Sequence, residues 1–209
     1  MQYTPSQAAE SPYKGSGSLT REQMLFYETR TTAKLIAEGL NDDQILERIL
    51  SENLFQYPTE KTIRQTAKAC LARLHALDDM DLVYSIARQD SFTAKQICLY
   101  AMMCQYRLVW DFMITVIGNK YRQQDFTYSR RDINIFLIQL QEQDDLVATW
   151  SEGTIKKIGS VISRILIENE YIDDGKATRL NPVLISPVLE NAIRGAGQEI
   201  ALSAFNCFS

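Results

Sequence analysis

At 209 residues, with 45% apolar and 23% charged residues, the chain is long enough for one ordinary domain or two small ones and holds enough apolar side chain for a real core. Nine glycines and five prolines are too few for a turn-rich β-sandwich and favour long helices. The formal net charge of -4 excludes a uniformly basic nucleic-acid binder, so any such role must rest on local basic patches.

Residues 1–18 are polar and small, without the apolar stretch of a signal peptide, and are predicted to form a flexible arm. The first predicted helix runs from about Leu19 to Glu38, with Thr20 and Gln23 as a capping box and Gly39 as its stop. The second follows at once, with Asn41 as N-cap, Gln44 at N3, and Ile45, Leu46, Ile49 and Leu50 as its apolar stripe. A third helix starts at Thr59 and continues to about Leu77; Ile63, Ala67, Cys70, Leu71 and Leu74 form one face, and Lys61, Arg64 and Lys68 the opposite one. A short fourth helix covers Met80 to Arg88.

The fifth helix is expected to be the longest, from about Phe92 to Tyr121. Its apolar residues lie on all sides, which marks the central helix of a bundle. Gln105, Arg107 and Asp111 within its apolar run argue against a membrane span. A sixth helix is predicted from Ser129 to near Gln143 and a seventh from Ser151 to near Asn169. Beyond it the texture changes. Residues 171–173, the Asp174-Gly175 turn signal and residues 178–180 read as a small β-hairpin. Ser186 and Pro187 then start another helix as N-cap and N1, and the tail from Gln198 reads as a weak final helix. The expected fold is all-α: a multi-helix bundle with helix-turn-helix-like elements and one C-terminal hairpin. Its expected parts are an arm (1–18), an N-terminal helical subdomain (19–90) and a C-terminal helical subdomain (91–209), with a winged-helix-like segment over 151–185.

Two helix starts share the pattern [ST]-E-x-T-I-[KR]: Thr59 to Arg64, and Ser151 to Lys156, 92 residues later. The first residue caps the helix, and the threonine and basic residues fall in its first turn, outside the core. In a helix-turn-helix that turn enters the major groove, and exposed amides there can hold a phosphate. The second and third helices have the right order, though their connection is long for the simplest such motif. On the seventh helix, Gly153, Lys156, Lys157, Ser160 and Arg164 form a small, polar, cationic outer face, and the hairpin after it adds Lys176 and Arg179. The plain alternative is a solvated face and ordinary capping chemistry. Five basic residues between Ser151 and Leu180 are balanced by five acidic ones; the third helix is cleaner, with Lys61, Arg64, Lys68 and Arg73 against Glu60.

Catalytic chemistry has little to stand on. The four cysteines, at 70, 98, 104 and 207, form no Cys-x-x-Cys pair, and with the single histidine, His75, they indicate neither a zinc site nor a disulfide framework but reduced thiols in a cytosolic protein. His75, near a helix end, has no identifiable nucleophile partner. There is no phosphate-binding loop or dinucleotide fingerprint. Tyr121, Phe126 and Tyr128, interleaved with Lys120, Arg122, Arg130 and Arg131, offer a stacking surface for single-stranded nucleic acid; aromatic residues folded back onto the core are the ordinary reading.

The chain resembles a known family. Glu38-Gly39-Leu40, the run from Glu52 to Tyr57, Thr62-Ile63-Arg64, the run from Leu74 to Asp78, that from Tyr106 to Phe112, that from Trp150 to Lys157, and Leu180-Asn181-Pro182 with the run from Leu184 to Pro187 are similar to the BrxA family of bacterial BREX phage-resistance systems. The resemblance extends from about residue 19 to 205. It implies a small, non-enzymatic component of a defence island that also encodes a DNA methyltransferase, an alkaline-phosphatase-like protein and an ATPase. It further implies an all-helical, NusB-like fold and DNA binding, and it offers no catalytic residues to match. The family has also borne an inner-membrane label, which Arg107 and Asp111 oppose.

The expectation is therefore a cytoplasmic accessory protein that binds double-stranded DNA and other BREX components, with no cofactor, metal, membrane or small-molecule substrate. Lys61, Arg64 and Lys68, then Thr154, Lys156, Lys157 and Arg164, then Lys176 and Arg179 would carry the DNA contacts. Alternatives are a protein–protein adaptor and a NusB-like RNA-binding module.

Overall fold

Side-chain caps set most of the α-helix starts in the computed structural model, which describes residues 10–208. Helix α1 is Phe26–Ala37, and Gly39 after it takes the left-handed conformation (φ 87°) that ends a helix cheaply only without a Cβ. Helix α2 (Asp42–Ser51) opens with the expected capping box of Asn41 and Gln44. Helix α3 (Glu60–Ala76) is capped by Thr59, and α4 (Met80–Arg88) by Asp79. The remaining α-helices are α5 (Ser91–Gln105), α6 (Arg107–Phe112), α7 (Asn119–Arg122), α8 (Arg130–Gln143), α9 (Asp145–Ala148), α10 (Glu152–Glu168) and α11 (Pro187–Gly195). Helix α10 is capped by Ser151, and α11 starts with Ser186 as N-cap and Pro187 at N1. The tail forms a 3-10 helix over Glu199–Phe205.

Four features differ from the sequence expectation. The first helix does not start near Leu19. Ser16–Thr20 form a 3-10 turn, the Thr20 hydroxyl donates to the Gly17 carbonyl rather than capping, and Leu25 turns left-handed (φ 52°) before α1. Nor do residues 10–18 form a free arm. Ser11 bonds the Asp144 carboxylate, the Tyr13 hydroxyl bonds Asp111 (2.9 Å), and Ser16 and Leu19 are buried. Residues 1–9 of the expected arm lie outside the described residues.

The long fifth helix is broken. Tyr106 is extended (φ -122°, ψ 107°), so α5 ends and α6 begins around it. Its ring lies against the Arg73 guanidinium at 5.4 Å and its hydroxyl donates to Glu22, so tertiary contacts override a continuous apolar pattern. Met113–Gly118 then widen into a π-helix before α7. The expectation that α5 is central holds: every residue from Gln96 to Met103 is buried.

The predicted hairpin is absent, and no strand occurs among the described residues. Tyr171 and Ile172 are both buried, so this segment packs into the core instead of alternating as a strand. Residues 178–180 pair elsewhere: Tyr128 N–H donates to the Thr178 carbonyl (2.9 Å) and Leu180 N–H to the Phe126 carbonyl (2.8 Å), around one antiparallel bridge between Thr127 and Arg179. An alternating pattern specifies an extended conformation but not its partner.

Two apolar clusters hold the helices. The larger spans α4, α5, α6, α8, α10, α11 and the tail; the smaller joins Leu35 of α1, Ile45 and Ile49 of α2, Phe55, and Ile63, Ala67 and Leu71 of α3. This packing turns the outer faces of α3 and α10 outward.

Candidate nucleic-acid interface

Helix α10 presents its cations together because of its period. Ile158, Ile162, Ile165 and Leu166 are buried, which leaves Gly153, Lys156, Lys157, Ser160 and Arg164 exposed along the opposite side. These five line one groove of about 510 Å³ whose other wall is Thr20 and Gln23. The Gln23 side-chain amide accepts a hydrogen bond from the Arg164 guanidinium, and Asn169 reaches the Met24 sulfur, so residues 20–24 are fastened along α10. Small side chains at 153 and 160 keep the groove floor low enough for a polyanion backbone to approach the lysines.

The structure adds a cation here from outside α10. Arg130, in the first turn of α8, crosses to α10: its guanidinium donates to Ser160 Oγ (3.2 Å) and lies beside Gly159. Only the fold brings it there. At the other end of α10, burial pushes the Glu168 carboxyl up in pKa, partly offset by Arg164 and Lys95.

The Thr154 hydroxyl is engaged in capping. Ser151 Oγ accepts from Thr154 N–H (3.2 Å) and lies 3.0 Å from its hydroxyl, as Thr59 does with Thr62 (3.3 and 2.8 Å). The shared six-residue pattern is thus, at least, one capping geometry used twice.

On α3, Lys61, Arg64 and Lys68 are all exposed but do not share surroundings. Arg64 faces the groove against α2, beside Asp43, Glu47 and Glu60, an acidic setting. Lys68, one turn further along, lines a different cleft of about 630 Å³ shared with Lys14, Arg21 and Glu22. Arg73, counted above among the basic residues of this helix, is not on the surface at all. It is 1% exposed, and its guanidinium donates to the carbonyls of Met24 (2.9 Å) and Glu22 (2.6 Å).

Lys176 and Arg179 are exposed, but without a hairpin there is no wing tip to carry them. Lys176 sits in the turn after Asp174, whose carboxylate accepts its N–H; Arg179 lies opposite Thr127, on the α8 side.

The loop aromatics fold inward. Tyr121 and Tyr128 are buried, Tyr121 donates to the Asn181 carbonyl (2.6 Å), and Phe126 packs edge-on against Tyr121. Lys120 is engaged by Asp125 and Asp132. A stacking surface for single strands is therefore not built here.

The remaining chemical groups are quiet. Burial pushes the Cys70 thiol up to about 11 and the Cys98 thiol up to about 12, so both stay protonated at neutral pH. His75 bonds the Asp42 carboxylate (2.9 Å), tying the end of α3 to the start of α2. Among the described residues no helix is long and apolar enough to cross a membrane.

Known proteins resemble this chain along nearly its whole length. It is 34% identical over 193 residues to the BREX protein BrxA of Bacillus cereus (strain H3081.97), covering 91% of this chain and 94% of that one. It is 27% identical over 197 residues to the BREX protein BrxA of Paramagnetospirillum magneticum (strain ATCC 700264 / AMB-1), covering 93% and 96%. The crystal structure of an uncharacterized protein from Magnetospirillum magneticum superposes with a TM-score of 0.74 at 25% identity, over 90% of this chain and 96% of that one. Residues 12–197 match the BrxA family as a whole, and with these relatives the match places the chain in the BrxA family.

Proposed function

We propose that this BrxA-family chain is a non-enzymatic, cytoplasmic accessory component of a BREX-type bacteriophage defence system, and that it binds duplex DNA. The observation that carries the DNA reading is the outer face of α10. Lys156, Lys157 and Arg164 line one groove with small neighbours, and Arg130 joins them from α8. Such a face supplies phosphate contacts, which dominate affinity and carry little sequence information. Helix α2 followed by α3 would serve as the helix-turn-helix-like pair, with Lys61 and Lys68 on its accessible side. The non-enzymatic reading is supported by the Cys70 and Cys98 thiols, which burial holds protonated.

The test is fluorescence anisotropy of a labelled duplex against the full chain. Lys156→Glu/Lys157→Glu is expected to weaken binding about tenfold or more. Arg64→Glu, beside Asp43 and Glu47, is expected to change it less than about threefold. Equal losses in the two variants would place the contact elsewhere.

An adaptor role within the same defence system is favoured by a different observation. Ile135 and Ile138 of α8 and Leu146 of α9 are exposed large apolar side chains on elements that adjoin each other. Pull-down of other BREX components with wild type and Ile138→Glu separates this reading from the first.

A further inference from the structure

Lys68 of α3 and the basic face of α10 border one narrow element. Lys14 and Arg21 line the cleft against Lys68 of α3, while Thr20 and Gln23 line the groove against Lys156 and Arg164 of α10. Only the 3-10 turn Ser16–Thr20 and the three residues after it separate the cleft from the groove. This strap is built in rather than draped. Arg73 holds its carbonyls at 22 and 24 from the α3 side, and Arg164 holds Gln23 from the α10 side. Ser11 on Asp144 and Tyr13 on Asp111 fix its approach.

The charges on the strap are sorted. The Glu22 carboxylate accepts hydrogen bonds from the Ser18 and Tyr106 hydroxyls, and Lys14 is paired with Glu10. Arg21 is exposed, and no ion pair or hydrogen bond from its side chain occurs among the described residues. A single helical turn with its side chains is about 10 Å across, close to the ~12 Å width of the major groove of DNA, which is bordered on both sides by phosphates.

We infer that α3 and α10 engage one duplex at the same time, with the strap lying along a groove between two phosphate rows and Arg21 as its own contact to the backbone. This inference rests on the DNA reading proposed above and adds to it the geometry and a contact residue.

The full chain is tested with Arg21→Ala, Arg21→Glu and Lys68→Glu beside Lys156→Glu/Lys157→Glu, each checked for fold by circular dichroism and thermal melting. Salt titrations are run on one labelled duplex. A second assay mixes donor-labelled and acceptor-labelled duplexes and reads energy transfer between them. The expected result is a reduced salt slope for Arg21→Ala and for Lys68→Glu, by about 0.9 per lost phosphate contact, weaker binding by Arg21→Glu than by Arg21→Ala, and no transfer between duplexes. Two results overturn the inference while leaving DNA binding standing. One is wild-type affinity and slope in the Arg21 and Lys68 variants when the α10 variant is impaired. The other is energy transfer, which means that the two faces hold separate duplexes. If wild type binds no duplex at all, the DNA reading fails first, and this inference falls with it.

Discussion

Arg73 shows how one residue's role depends on where its helix is packed. A charged side chain at 1% exposure is tolerable because two carbonyls and the Tyr106 ring replace water around it. Arg73→Ala leaves those carbonyls unpartnered and frees the strap, so we expect about 3 kcal/mol of lost stability in urea unfolding. Gly118 faces an opposite constraint: a Cβ there would sit 2.5 Å from Ser203 Oγ and 3.2 Å from the Ser203 backbone carbon. Gly118→Ala should therefore cost about 1–3 kcal/mol by the same measurement. Asp125 gives a pH signature. Hydrogen bonds from Thr127, with help from Lys120, hold its carboxyl down at about 2. A depressed folded-state pKa contributes stability above the unfolded value of ~3.9 and loses it as pH falls through the folded one. The stability gap between wild type and Asp125→Asn is expected to be full at about pH 5 and to close between about pH 4 and pH 2. A gap independent of pH would mean that the carboxylate charge is not what Thr127 stabilises. None of these three roles is written in the sequence. Arg73 has the spacing of a surface cation near the end of a basic helix, and only the position of residues 22–24 makes it a core group.

At the scale of elements, capping chemistry was legible and pairing was not. Asn41, Thr59, Ser151 and Ser186 cap α2, α3, α10 and α11 where the sequence places them, because such a cap is decided within four residues, whereas the expected Thr20 and Gln23 box gives way to a 3-10 turn. Ser151→Ala should lower stability by about 1 kcal/mol and leave the α10 face in place, as near-unchanged circular dichroism would show. The breaks depend on contacts far along the chain. Tyr106 interrupts the apolar run from α5 into α6 through Arg73 and Glu22, and residues 178–180 find residues 126–128 instead of 171–173. The lost hairpin removes the reason for grouping Lys176 and Arg179 with α10. The same logic added Arg130, which the fold delivers to Ser160 from another helix.

For the whole molecule, the net charge of -4 and the basic groove on α10 coexist because the charges are sorted by packing. Arg64 lies among α2 carboxylates and Lys120 between Asp125 and Asp132, while Lys156, Lys157 and Arg164 face outward together. The cationic face of α10 was readable from its 3.6-residue period. That the face would be walled by residues 20–23, with a second basic cleft on the other side of the strap, was not, since residues 19–25 read as the start of the first helix and their 3-10 turn is set by contacts far along the chain. The most direct measurement of the central claim is the salt dependence of duplex binding by the full chain between about 50 and 200 mM salt. Log K is expected to fall linearly with log salt concentration, steeply for wild type and with a smaller slope for Lys156→Glu/Lys157→Glu. An affinity indifferent to salt, or a slope that the double charge reversal leaves unchanged, would contradict it.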